Sequence, residues 1–152
     1  MKKIILMLAI IATTTIAFGQ TKSPLTVNVG GTVLFPVGTS LNEKSPSYGE
    51  TVKLVCQPKN IGYTLSVSYL QSKSDSVQIP VMVGTKIKVL NNLYFNTEAG
   101  VSFYNKSNNP QFTYSPSFTY QIKRFGVTQS FLGSISNGKS ASNVGFSLTY
   151  KL

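Results

Sequence analysis

Histidine and tryptophan are absent from this 152-residue chain, and only four side chains are acidic: Glu43, Glu50, Asp75 and Glu98. Without histidine, the Ser–His–Asp and Cys–His arrangements that activate a hydroxyl or thiol have no base. Four scattered carboxylates offer no cluster with metal-ligand spacing. Glu43 and Glu50 bracket one loop, but no oxygen-ligand motif accompanies them, so they read as solvated charges. The single cysteine, Cys56, excludes an internal disulfide. With no cation beside it on its face, it reads as a small hydrophobe rather than a reactive thiol. GTVLFPVG lacks the Gly-Lys-Ser/Thr of a phosphate loop. A non-enzymatic protein without a cofactor or metal is expected.

Helical periodicity is also missing, as is any long apolar run beyond the N-terminus. That first run is short. Lys2 and Lys3 precede residues 4–12 (IILMLAIIA), and Ala17-Phe18-Gly19 supplies small residues before Gln20. Nine apolar residues fall well below the ~20 a membrane-spanning helix needs. The segment has the layout of an export signal, expected over residues 1–19 and removed before folding. The remainder, residues 20–152, is expected to be one domain. Net charge is +10, and dropping Lys2 and Lys3 leaves +8. The basic residues are scattered singly, which argues against nucleic acid and favours anionic lipid headgroups as counter-charge.

What the chain does have is alternation. From residue 25 onward, apolar and small polar residues exchange places at period two, the signature of strands. Eight segments follow: residues 25–37, 48–58 (the weakest), 61–69, 77–89, 93–103, 112–122, 125–135 and 142–152. In the last (SNVGFSLTYKL), Val144, Phe146, Leu148, Tyr150 and Leu152 share one face opposite Gly145, Ser147, Thr149 and Lys151. Across all segments the apolar face is apolar at about five positions in six, and the other at about one in seven. A one-residue slip would exchange the faces, so the pairing register is strongly specified. Connections of roughly 6 to 10 residues after strands one, three, five and seven alternate with short turns after two, four and six. That is the pattern of an up-and-down barrel with both termini at one end.

The polar face decides between a membrane barrel and a soluble one. A water-exposed face is usually rich in lysine and glutamate. Here it is Ser, Thr, Asn, Gln and Gly, with Lys53, Lys86, Lys88, Glu98 and Lys151 as its few charges. Small groups suit the narrow interior of an eight-stranded barrel, and the apolar face then meets lipid. Aromatic residues gather towards both ends of that face. Tyr63, Phe95, Tyr120, Phe125 and Tyr150 form one expected girdle; Phe35, Tyr48, Tyr69, Phe103, Phe112, Tyr114 and Phe146 form the other. Amphipathic rings favour that depth.

The chain resembles the small eight-stranded outer-membrane β-barrel family of the OmpA/OmpX type. The residues that carry the resemblance are the closing strand GFSLTYKL, the first-strand GGTVLFPVG and the hairpin IPVMVGTKIKVLNNLYFNTEAGVSF. The resemblance implies an all-β, eight-stranded antiparallel transmembrane barrel in the outer membrane of a Gram-negative bacterium. It further implies insertion by the barrel-assembly machinery through the closing strand (Phe146, Leu148, Tyr150 and Leu152). Outer-membrane lipids and lipopolysaccharide are the expected partners, and a monomer the expected state. The rival functions are a narrow solute pore and a secreted, soluble lipocalin-like or adhesin domain.

Inside such a barrel Glu98 is the most pointed residue. A three-residue turn at residues 90–92 pairs 89 with 93, sets Gly84 opposite Glu98 and puts Lys86 on its diagonal. An interior ion-pair network of Glu98 with Lys86, Lys53 or Lys88 is therefore expected to hold the lumen shut. Outer loops carry one lysine each (Lys44, Lys73, Lys106 and Lys139), offset by Glu43, Glu50 and Asp75. Lys22, Lys59, Lys123, Arg124 and Lys151 collect at the end with the termini. There they are expected to meet the anionic inner leaflet.

Overall fold

The structure, a computed structural model, describes residues 25–37, 45–73, 76–105, 107–136 and 139–152. The expected export signal and Lys22 lie outside the described residues, as do Glu43, Lys44, Asp75 and Lys106. Eight strands run in chain order: β1 (Leu25–Pro36), β2 (Ser47–Cys56), β3 (Ile61–Ser72), β4 (Val77–Lys88), β5 (Leu93–Tyr104), β6 (Ser107–Ile122), β7 (Phe125–Ser136) and β8 (Lys139–Lys151). Each pairs antiparallel with its neighbours, and β8 closes on β1 from Asn28↔Lys151 to Pro36↔Asn143. Closure leaves no sheet edge, so every strand has two partners.

The β4–β5 register runs through Lys88↔Tyr94 and Gly84↔Glu98, with Val89 N donating to Leu93 O at 2.9 Å. The tight turn that the sequence predicts here is the one formed. Loop lengths differ from expectation at the other end. β6 starts at Ser107 and β8 at Lys139, so two expected loops shrink to the pairs 105–106 and 137–138. Their residues are polar and read as loop, yet the ladder continues through them, with a register shift between Ser102 and Tyr104. Backbone pairing needs no apolar face once a hairpin projects beyond the apolar band. The β1–β2 connection, residues 37–46, remains long.

Alternation is realised inside out relative to a water-soluble fold. The buried hydrophobics are few: Leu34, Leu54, Val55, Leu70, Met82 and Leu132. Tyr63 (66 %), Val83 (61 %), Leu148 (58 %) and Phe118 (53 %) are instead open to the outside, among more than twenty large apolar side chains. Leu54 is an exception on the outward face, at 8 %. The buried polar residues are mainly Ser and Thr and point inwards. A folded monomer in water does not present a continuous apolar girdle of this size.

Two of the four strand prolines, Pro80 and Pro116, lie mid-strand and test the ladder, because a closed barrel has no edge to hide them. Opposite Pro80, β3–β4 pairing lapses between Val67↔Val81 and Leu70↔Gln78. Beside Pro116, β6–β7 pairing lapses between Tyr114↔Gly133 and Ser117↔Ser130. Each missing N–H interrupts one side of its strand while the other side stays paired. On the outer wall Gly133 lies under the ring of Tyr114, where an added Cβ would clash with the ring atoms. Tyr114 thus covers the surface its cross-strand partner leaves bare, 6.2 Å from the Phe131 ring.

Candidate functional site

Among the described residues, chemistry-bearing side chains converge in the lumen, which is layered. Furthest from the termini, Thr113 Oγ1 donates to Ser102 Oγ at 2.7 Å, and Gln78 Nε2 donates to the same oxygen at 3.1 Å. Beside these, Leu34, Leu70, Met82 and Leu132 pack into an apolar plug. Gly145 makes room for it: a Cβ there would sit 2.6 Å from Leu34 Cδ2 and 2.5 Å from Ser130 Oγ. A chain of hydroxyls, Ser147–Thr32–Thr51–Ser68, links four neighbouring strands at 2.8, 3.1 and 2.8 Å. Short hydroxyls are the groups small enough to fill this space while satisfying one another.

At mid-lumen Lys53 Nζ approaches Glu98 Oε2 to 3.1 Å, and Ser66 Oγ donates to the same oxygen at 3.3 Å. Glu98 is 4 % exposed and the Lys53 side chain 19 %. Glu98 Oε1 and Thr64 Oγ1 are buried and make no hydrogen bond to any described residue. Gly84, between Thr64 and Glu98 in the ladder, is required here: a Cβ would strike the Thr97 carbonyl and lie 2.7 Å from Glu98 Cγ. One layer nearer the termini, Asn96 Nδ2 donates to Thr119 Oγ1 at 2.9 Å and Thr119 meets Thr128 at 2.8 Å.

Lys86 does not join Glu98, although the sequence places it on the diagonal. Its Nζ stands 4.1 Å over the Tyr94 ring and donates to Gln121 Oε1 at 3.4 Å. Lys53 already occupies the carboxylate, and a second cation beside it would be repelled, so the long Lys86 stem swings towards the terminal mouth. Lys88 is exposed at that mouth. Of the four residues expected to form the network, the structure brings together Glu98 and Lys53.

Below this layer the lumen opens into a vestibule of about 700 Å³, whose walls include Lys59, Lys86, Lys88, Lys123 and Lys151. Deeper in, the free space shrinks to chambers of about 50 and 60 Å³ around Lys53 and Glu98. The basic residues of this end, expected against lipid, therefore divide. Lys59, Lys123 and Lys151 line the vestibule, whereas Arg124 Nη1 donates to the Tyr150 hydroxyl at 3.3 Å. Sequence periodicity assigns Lys151 to the inner face but gives no sign that the turn lysines share its cavity.

On the outer wall, aromatic rings pair near both rims. Phe125 and Tyr150 face across β7–β8 with centroids 5.2 Å apart, and Phe95 and Phe118 across β5–β6 at 5.1 Å. At the far rim Phe35 meets Phe146 at 6.5 Å, with Tyr48, Tyr69, Phe103 and Phe112 also exposed. Tyr63 and Tyr120 stand exposed towards the terminal rim. Leu148 and Leu152 of the closing segment are exposed, and Leu152 N donates to Val27 O at 2.9 Å. Among the described residues no group of three or more His, Cys, Asp or Glu could hold a metal.

An apolar belt, a polar plugged interior and full closure define a transmembrane β-barrel, with the fold of the small OmpA/OmpX-type outer-membrane barrels. Solved structures agree. A de novo designed transmembrane β-barrel superposes with a TM-score of 0.65 at 16 % identity, over 84 % of this chain and 95 % of that one. The outer-membrane protein Ail of Yersinia pestis, in a phospholipid bilayer nanodisc, gives 0.62 at 9 % identity over 86 % and 100 %. The N-terminal barrel domain of Pseudomonas aeruginosa OprF gives 0.61 at 12 % identity over 84 % and 97 %. At these identities the likeness is one of fold. No family model and no curated protein matches the chain.

Proposed function

We propose that this protein is an integral, non-enzymatic component of a Gram-negative outer membrane, exported through cleavage of residues 1–19. Its work is structural or interactive. The observation that carries this reading is the inverted burial pattern: large apolar side chains outward, hydroxyls, amides and a Lys53–Glu98 pair inward. In this reading the apolar belt anchors the barrel in lipid, and its two aromatic bands sit at headgroup depth. The termini face the periplasm, as the resemblance implies, and β8 docks on β1 during insertion by the assembly machinery. The opposite end meets lipopolysaccharide or a surface partner, and the barrel acts as a monomer. A solved structure of Ail, whose fold this chain shares, is a complex with the heparin analogue sucrose octasulfate. That supports surface contact as the kind of role such a barrel performs.

The apolar plug and the small mid-lumen chambers argue against the pore. The outward apolar face argues against a soluble lipocalin-like domain. The test is gel mobility of the outer-membrane fraction in SDS, with and without boiling. A barrel without edges stays folded in cold detergent, so a heat-dependent shift is expected. A protein found in the soluble fraction, with no shift, overturns the reading.

A further inference from the structure

The vestibule at the terminal end has a composition that the membrane anchor does not require. Five lysines converge on one cavity of about 700 Å³, and among the described residues no acidic one lines it. Two acids fall among the described residues. Glu98 is bound to Lys53 deeper in the lumen, and Glu50, on β2 opposite Gly31, is exposed towards the other end. Lys86 is 7 % exposed and rests on a neutral amide and an aromatic ring. Like charges gathered in a cavity enclosed by the barrel wall create a focused positive field. Leaving them uncompensated is costly, and an entering anion relieves the cost.

Geometry favours binding over passage. Beyond the vestibule free space falls to a chamber of about 50 Å³ beside Lys53, and past it the plug of Leu34, Leu70, Met82 and Leu132 fills the lumen. The pocket is therefore blind. Its neutral lining supplies amide donors from Asn28, Asn92 and Gln121, which suit tetrahedral oxyanions as much as the lysine ammonium groups do. A volume of this size fits a small ligand rather than a folded macromolecule.

Lys123 adds a separate observation. It sits in the two-residue β6–β7 turn with φ of 54°, the left-handed region that glycine occupies without cost. A lysine stands where the backbone favours glycine, and its side chain belongs to the vestibule rim.

We propose that this blind vestibule is a binding site for a phosphate-type anion, either a small soluble oligophosphate or the phosphate headgroup of an anionic lipid. Occupancy is set by Lys86 and Lys151 inside and by Lys59, Lys88 and Lys123 at the mouth.

The test uses the protein extracted in non-ionic detergent and reconstituted into phosphatidylcholine bilayers, titrated calorimetrically with sodium tripolyphosphate. Saturable one-to-one binding that weakens with added salt is expected. Lys86→Gln/Lys88→Gln/Lys151→Gln should weaken it about tenfold or more. Lys73→Gln, an exposed residue after β3 at the opposite end, should leave it within about twofold. Folding of each variant is verified by the cold-detergent gel shift. Should the triple variant fail that check, Lys123→Gly decides, because it relaxes the turn and removes only a rim charge. It should fold at least as well as the parent yet bind about threefold more weakly. Repeating the titration in phosphatidylglycerol-containing bilayers separates the two sources. Binding retained there assigns the site to a soluble phosphate, and binding abolished there but present in phosphatidylcholine assigns it to the lipid headgroup. Absence of saturable binding in phosphatidylcholine, or equal affinity in the folded variants, overturns the proposal.

Discussion

Replacing Glu98 by alanine removes the carboxylate that neutralises Lys53 at the centre of the lumen. The pair is 3.1 Å apart, with Glu98 at 4 % exposure. At an effective dielectric near 20, a contact of that length is worth about 5 kcal/mol of gross attraction. Much of this offsets the desolvation of both groups, and deleting one partner of a buried pair typically costs about 3–5 kcal/mol. The Lys53 side chain keeps 19 % exposure, and the chamber beside it lies next to the open vestibule, so the stranded ammonium is partly solvated. We therefore expect Glu98→Ala to cost about 2–3 kcal/mol. Glu98→Gln should cost less, since its amide oxygen still accepts from Ser66 and Lys53. A Glu98→Met/Lys53→Met double variant should recover most of the loss, because two matched apolar groups leave no charge buried alone. Tryptophan is absent, so equilibrium urea unfolding in phosphatidylcholine vesicles is followed by the gel shift and far-ultraviolet dichroism. A Glu98→Ala barrel within about 0.5 kcal/mol of the parent, or a double-mutant cycle with no coupling, would refute the claim that this pair secures the lumen.

The outer wall and the plug give further tests. Val83→Lys places a charge midway along β4, where the parent side chain is 61 % exposed. Facing lipid it should cost about 2–4 kcal/mol in vesicle unfolding, whereas a water-facing site would register almost nothing. Gly145→Ala drives a methyl against Leu34 and Ser130, and should lower stability by about 1–3 kcal/mol in the same assay. Planar-bilayer recordings of the parent should show no discrete conductance steps. Steps of uniform size in the unaltered protein would return the narrow pore to consideration and contradict the blocking role of Leu34, Leu70, Met82 and Leu132.

Residue order alone settles the strands, the two faces and the β4–β5 register, because period-two alternation and turn chemistry act over a few neighbours. Leu25, Val83 and Leu148 announce an outward face without any knowledge of what lies across the barrel. Loop lengths at the far end were less legible, since Ser107 and Lys139 are polar whether paired or free. Leu70 carries no sign of a plug role in the sequence: the apolar alternation ends at Tyr69, yet the ladder carries the strand one step further and Leu70 into the lumen.

Closure decided the rest. Lys53 is on β2 and Glu98 on β5, three strands apart along the sheet, and they touch because the sheet curls back on itself. Sequence spacing could rank Lys86 as the nearer partner, being on an adjacent strand, but could not know that Lys53 reaches across the lumen first. The same curvature gathers Lys59, Lys86, Lys88, Lys123 and Lys151, spread over 93 positions of sequence, into one mouth. Alternation is a local property written residue by residue, whereas a contact across a lumen depends on the diameter and stagger of the whole closed sheet.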